Sequence, residues 1–362
     1  DEPTTSLDSL VRNDIISLIK SLQNEYNMSV LFISHDLKLV SKFVDNLIVL
    51  KKGVIIEKGI SSQIFNSPKK KYTKHLIDSS PPKNNRPNRL ITSKTKKNKL
   101  ISKAERAIHH SKIYSKNPIL KVNKLTVFYE NNLTLKDISF NLYKGETLGI
   151  VGESGSGKST IAKSILGLVK IHNGEILFKN KNTNQISNSI FRKKVQLIFQ
   201  DPYSSLNPEI SIGNSIIEPM IAHKIFSSKF EMKCKALELL NQVGLSKNDF
   251  KKFPNQFSGG QRQRIVIARA LALNPEVIIC DESVSALDVS IQAQILNLLS
   301  DLKEKYLFTF LFISHDMSVI KYFTDRLIVL KKGKIIEINE TDFLFEHSKK
   351  LYTKSLLRAS DF

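Results

Sequence analysis

Three stretches of the chain pass from a short apolar run to a polar turn. In "LGIVGESGSGKST" the apolar residues Leu148–Val151 give way to a glycine-rich turn, and a helix is predicted to begin near Lys158. In "PEVIICDES" the run Val277–Cys280 ends on two acids, Asp281 and Glu282. In "FSGGQRQRIVIARAL" a Ser-Gly-Gly turn leads into apolar residues at helical spacing. Short continuous apolar runs predict strands buried on both faces, and a spacing of three to four residues predicts a helix with one buried stripe. No apolar run is long enough to cross a bilayer.

The pattern also repeats. "VLFISHDL", ending at Leu37, returns as "FLFISHDM", ending at Met317, a displacement of 280 residues. At the same displacement "LIVLKKG" recurs, "KKKYTK" returns as "KKLYTK", and Asp1, Glu2, Asp8 and His35 fall on Asp281, Glu282, Asp288 and His315. Roughly two in five positions are identical across this segment, which makes it a duplication. The second copy has a long front half, residues 119 to 280, with no counterpart ahead of the first. Three units are expected: residues 1–80 as the C-terminal remnant of a first domain, 81–118 as a linker, and 119–362 as a complete second domain. Position 1 then falls inside a domain, which suggests a partial sequence, with a truncated gene as the alternative.

Composition modifies this outline in two places. The formal net charge is +21, and the forty residues from Ser79 to Pro118 carry eleven Lys or Arg against one acid, Glu105. That stretch is rich in Pro, Asn, Ser and Lys and poor in large apolar groups, so it reads as a flexible basic tether without specific nucleic-acid binding. Cys234 and Cys280 are the only cysteines and have no metal-ligand spacing, which fits a reducing compartment. Cys280 lies in an apolar strand and reads as core packing.

The candidate chemistry begins with Gly152–Ser159, which matches G-x-x-x-x-G-K-[ST]. The loop opens with Gly152, Glu153 and Ser154, turns through Gly155, Ser156 and Gly157, and enters its helix at Lys158, Ser159 and Thr160. Glycines let backbone N–H groups converge on phosphate oxygens at a helix N-terminus. Lys158 can then reach the β- and γ-phosphates, and the Ser159 hydroxyl can ligate Mg2+. Without the strand before it and the helix after it, the same string would be a Gly/Ser turn with a solvated lysine. Asp281, at a strand's carboxyl end, is placed to hold Mg2+ through water, and Glu282 to orient or deprotonate an attacking water. Ser258 would serve as an ordinary helix N-cap, but its turn also offers a second phosphate site. A nucleotide sandwiched between two domains accommodates both.

Six motifs, "GESGSGKST", "IFQDPYSSLNP", "FSGGQRQR", "VIICDES", "SALD" and "FISHD", stand in the order and spacing of an ABC-type ATPase domain, which residues 119–362 resemble fully and residues 1–80 in part. "QDPYSSLNP" and the closing "LYTKSLL" further resemble the ATPase subunits of importers for peptides, glutathione or nickel chelates, some of which fuse two such domains. The resemblance implies an α/β P-loop NTPase fold of ABC type: a mostly parallel sheet, an antiparallel β region and a helical subdomain about residues 203–272. It implies ATP and Mg2+ as ligands, with Ser159, Gln200 and Asp281 at the metal. It further implies Gln200 at the attacking water, His315 as a γ-phosphate switch, and Tyr129 as the adenine-stacking aromatic, with Tyr143 left to packing. Ser258, Gly259, Gly260 and Gln261 would form the signature turn for an opposite site, and Asp288 the loop along the dimer seam. Asp1, Glu2, Asp8 and His35 are the remnant's equivalents.

Two departures from the family pattern are Ser283, where Pro is usual after the acid, and Phe257, where Leu is commoner. The cysteine-rich tail of some relatives is absent, so no iron–sulfur cluster is expected. The implied partners are integral-membrane permeases, indirectly a substrate-binding protein, and a second ABC domain, with the ATPase peripheral at the cytoplasmic face of the inner membrane. A ribosome-associated tandem ATPase and a non-catalytic remnant are the alternatives. Because ABC sites form head to tail and the remnant has no phosphate-loop strand, the remnant is expected to compete poorly for the seam.

Overall fold

The computed structural model describes residues 1–3, 8–82, 86–92, 95, 99–129, 132–285 and 287–360. The first copy contributes a single hairpin, β1 (Asn46–Lys51) and β2 (Val54–Ile60), with the helices Ser9–Tyr26, Leu37–Phe43, Ser61–Asn66 and Lys71–Asp78. The second copy contributes β3 (Pro118–Tyr129), β4 (Asn132–Tyr143), β5 (Thr147–Val151), β6 (Asn173–Phe178), β7 (Lys181–Asn182) and β8 (Val195–Ile198), followed by β9 (Val277–Asp281), β10 (Thr309–Ile313), β11 (Arg326–Lys331) and β12 (Lys334–Glu340).

Two sheets form from these strands. The central one runs β12-β11-β5-β10-β9-β8, parallel except for the β11–β12 hairpin, and the other is antiparallel in the order β4-β3-β6-β7. This is the α/β arrangement that the motif order implied. The apolar runs take the central positions because only there are both faces covered. Strand alternation divides them: Ile278, Cys280, Phe310 and Phe312 enter one core, while Val277, Ile279, Leu311 and Ile313 enter the other. Between β8 and β9 the chain is mainly helical, with Pro202–Ser205, Ile212–Ala222, Lys229–Gln242 and Gly259–Leu271. No helix among the described residues is long and apolar enough to cross a membrane.

The first copy shows what a strand sequence does without neighbours. Leu311 and Ile313 in β10 are fully buried between β5 and β9. Their equivalents, Leu31 and Ile33, are 86% and 51% exposed, and residues 28–33 belong to no strand. A strand needs a ladder as well as apolar side chains.

The segment expected to be a tether is partly structured, which corrects that reading. Lys103–Tyr114 is a helix, started by a capping box in which Ser102 Oγ accepts from Glu105 N and Glu105 accepts from Ser102 N. His110 and Ile113 are buried. Leu90 is also buried, and the Asn297 side-chain amide exchanges two hydrogen bonds with its backbone at 2.8 and 2.9 Å. Low apolar content bars a segment from building a core of its own, but two or three apolar anchors suffice to dock it on a core that already exists. Residues 83–85, 93–94 and 96–98, which carry several of the linker's lysines, lie outside the described residues.

Candidate functional site

The glycine-rich loop leaves β5 and ends at the helix Lys158–Ile165. Gly157, just before that helix, has φ +103°, and a Cβ there would stand 2.6 Å from Leu135 Cδ2. A Cβ on Gly152 would lie 2.2 Å from the Leu330 carbonyl oxygen. The left-handed backbone at Gly157 and the carbonyl facing Gly152 therefore require glycine at both positions. Lys158 Nζ donates to the Gly152 and Glu153 carbonyls at 2.9 and 3.0 Å, holding the ammonium inside the loop. Burial pulls the Lys158 pKa down, while Glu282 and Asp281 oppose that shift.

The acids at the end of β9 face the same loop. Ser159 Oγ donates to Asp281 Oδ1 at 3.1 Å, so a hydroxyl and a carboxylate oxygen stand side by side. One carboxylate with one hydroxyl suits Mg2+, which keeps several waters and takes its remaining ligands from phosphate. Burial raises the Asp281 pKa, with the Ser159 hydrogen bond opposing it. Glu282 adopts φ +48°, a left-handed conformation costly for a residue with a side chain, and its N–H bonds to the Ile313 carbonyl. Its Oε2 accepts from Gln200 Nε2 at 3.1 Å and lies 3.4 Å from His315 Nδ1. The His315 hydrogen bond holds the Glu282 carboxyl below its ordinary pKa, against the effect of burial. Residues from four separate stretches thus converge on one loop.

Tyr129 ends β3 with 49% of its surface exposed, which leaves its ring face open. Tyr143 instead packs edge-on to Tyr114 at 5.3 Å and beneath the Arg326 guanidinium at 5.2 Å. The Ser258–Gln261 turn begins the helix Gly259–Leu271, with Ser258 N donating to Gln261 Oε1. A Cβ on Gly260 would meet Ile291 Cγ2 at 2.2 Å, so the helix Val289–Tyr306 lies directly against the turn. Among the described residues, Ser258–Gln261 make no hydrogen bond to the phosphate loop. Asp288 caps Val289–Tyr306 by accepting from Ser290 N and Ile291 N.

The first copy reaches this site. Asp8 Oδ2 accepts from Ser154 N at 3.2 Å. Lys38 Nζ bonds to Ser318 Oγ, so equivalent positions of the two copies meet. His35 and His315 line one shared cavity. Glu2 also repeats the geometry of Glu282, with φ +41°, an N–H bond to the Ile33 carbonyl and an oxygen 2.9 Å from His35 Nδ1. Side-chain contacts therefore join this unit to the second copy without its sheet strand. Asp1 is exposed at the chain start.

Sequence reasoning missed Tyr352, whose hydroxyl accepts from Glu153 N at 3.4 Å. Burial raises the pKa of that hydroxyl to about 12. Lys331 lies 4.2 Å above its ring, and Lys51 lies 4.5 Å above the ring of the equivalent Tyr72. The repeated tyrosine in "KKKYTK" and "KKLYTK" was the available signal.

The ABC transporter family matches residues 135–285, and the oligopeptide/dipeptide transporter C-terminal region matches residues 56–106. The glutathione import ATP-binding protein GsiA of Escherichia coli strain K12 is 41% identical over 375 residues, covering 99% of this chain. Its Shigella boydii serotype 4 counterpart is 41% identical over 382 residues, with the same coverage. The chain spans 60% of the length of these curated relatives. Among solved structures, cbiO1 from Clostridium perfringens, part of the ABC transporter complex cbiONQ, aligns with TM-score 0.59 at 27% identity, covering 64% of this chain and 92% of that one. The ATP-binding cassette MJ0796, a dimer in a post-hydrolysis state bound to ADP and Pi, aligns with TM-score 0.56 at 34% identity, covering 61% of this chain and 98% of that one.

Proposed function

This chain belongs to the ATP-binding cassette family, and from that premise we propose that it is the ATP-hydrolysing subunit of a membrane importer for peptides or related small solutes. The observation that carries the reading is the convergence of Lys158, the Ser159–Asp281 pair and the Gln200–Glu282–His315 group on one phosphate loop. In this reading the loop N–H groups and Lys158 bind the phosphate chain, and Tyr129 stacks on the adenine. Ser159, Asp281 and Gln200 would hold Mg2+, which, when bound, neutralises charge on the phosphate oxygens. Glu282 aligns a water for attack on the γ-phosphorus and takes up its proton, the bond to the β-phosphate oxygen breaks, and His315 fixes Glu282 and the γ-phosphate. The match over residues 56–106 and the glutathione importers among the relatives favour a transport role over a ribosomal one. Permeases in the membrane, a substrate-binding protein beyond them, and a peripheral position at the inner membrane complete the proposal.

The sequence given carries one Ser-Gly-Gly signature turn, and among the described residues that turn makes no hydrogen bond to the phosphate loop. For the 362 residues given, taken by themselves, turnover then takes a second copy of the turn, which two chains supply to each other when residues 119–362 pair head to tail. Specific activity should rise with protein concentration, because the competent species is a dimer that must first displace residues 1–80 from the seam. Robust turnover at nanomolar concentration, with constant specific activity, would overturn this. Binding is simpler: Lys158→Ala should weaken Mg·ATP binding about tenfold or more, a loss of one charge-assisted contact. Calorimetric titration giving equal affinities would sink the assignment.

A further inference from the structure

A second cavity, of about 720 Å3, lies where the linker helix Lys103–Tyr114 packs on the second copy. That volume falls in the range of small-molecule sites. Its lining carries seven Lys or Arg against three acids. The acids are already engaged: Glu304 pairs with Arg89, Asp325 with Lys303, and Glu105 with Lys99. Arg106 pairs with Asp342. Arg86, Lys112, Lys116 and Lys144 have no ion pair among the described residues.

Arg86 is the informative member. Its Nη1 is buried without a hydrogen-bond partner among the described residues, although the side chain lines the cavity. Asp325, which lines the same cavity, is committed to Lys303 Nζ and Thr147 N at 2.8 Å each. A buried guanidinium with an unused donor is costly, and an anionic oxygen, such as that of a phosphate, is the acceptor that satisfies it. The lining also includes the buried Ile113 and Phe323, with Ile101 and the exposed Leu307 beside them, so apolar surface adjoins the basic side chains.

We propose that this cavity is a binding site for a small organic phosphate, with Arg86 on the phosphate, Lys112, Lys116 and Lys144 at the rim, and the apolar lining against the organic body. The site is separate from the phosphate loop, and the inference does not rest on the ATPase reading.

The probe is 1-naphthyl phosphate, titrated calorimetrically into the full chain with the phosphate loop saturated by a non-hydrolysable Mg·ATP analogue. Saturable binding is expected, weakened about tenfold in Arg86→Met and several-fold in Lys144→Glu. Lys144 is exposed, so its variant remains informative if Arg86→Met does not fold. The affinity for the ATP analogue should be unchanged in both. Naphthalene without the phosphate should not bind. In a second arm, anionic phospholipid vesicles compete with the probe if the phosphate is a lipid headgroup and leave it bound if the ligand is soluble; either result supports the phosphate chemistry. No saturable binding below about 1 mM, or equal binding by the wild type and Lys144→Glu, would overturn the proposal.

Discussion

Glu282→Gln should bind Mg·ATP with unchanged affinity and hydrolyse it at least about a hundredfold more slowly, the usual range for losing a positioned general base. The expectation follows from its geometry. Glu282 is held by Gln200 Nε2 at 3.1 Å and by His315 Nδ1 at 3.4 Å, and its backbone is fixed in a left-handed turn by the Ile313 carbonyl. His315 keeps the carboxyl below its ordinary pKa, so Glu282 is ionised throughout the neutral range and poised to accept a proton. The amide preserves size and can still receive the Gln200 hydrogen bond, which confines the loss to chemistry. Single-turnover measurement in the paired state separates the chemical step from pairing. An unchanged rate would mean that another group activates the water, and the assignment of Glu282 would fall.

Asp325→Ala should cost about 3–5 kcal/mol of stability, the range for removing one partner of a buried ion pair. Asp325 is buried where β11 begins, and it accepts from Thr147 N and Lys303 Nζ, with His110 Nε2 3.6 Å away. Burial alone would raise its pKa, but Lys303, His110 and Arg86 together hold it well below the ordinary carboxylate range. The sign follows: a carboxyl with a lowered folded pKa stabilises the fold above its unfolded pKa of about 4 and loses that contribution as pH falls towards the folded value. His110 carries the opposite slope. Burial lowers its pKa, but Asp325 and Glu340 more than offset this, so its contribution is present in acid and lost as pH rises through the raised folded pKa. Urea midpoints at pH 7, pH 5 and about pH 2 test both. The difference between wild type and Asp325→Ala should widen as His110 protonates and then shrink only below about pH 4, and a constant difference would contradict the argument.

What could be read in the sequence was set by how local the physics is. The phosphate loop, the strand ending in Asp281 and Glu282, and the capped turn at Ser258 are each encoded within about fifteen residues, and the repeat displaced by 280 residues paired His35 with His315 directly. The linker helix was obscured for a different reason. Average composition concealed Leu90 and Ile113, although the "SKAE" at Ser102–Glu105 carried a start signal of the S-x-x-E type. Tyr352 and the Asp8–Ser154 contact join residues some 200 and 146 positions from their partners, and only tertiary packing supplies such pairs. The left-handed turn at Glu282 was equally hidden, since nothing in "CDES" marks it.

The exposed strip at Leu31 and Ile33 has a consequence for handling the protein. An apolar segment with high strand propensity and no ladder is a template for strand addition by another chain. Copies of the 362 residues given, held at high concentration, would join edge to edge through "VLFI", and such assemblies would scatter light. Head-to-tail pairing of the second copies and stacking through the first are thus competing associations, one raising turnover and the other removing protein from it. A charge placed at Leu31 in the tube would favour the first over the second.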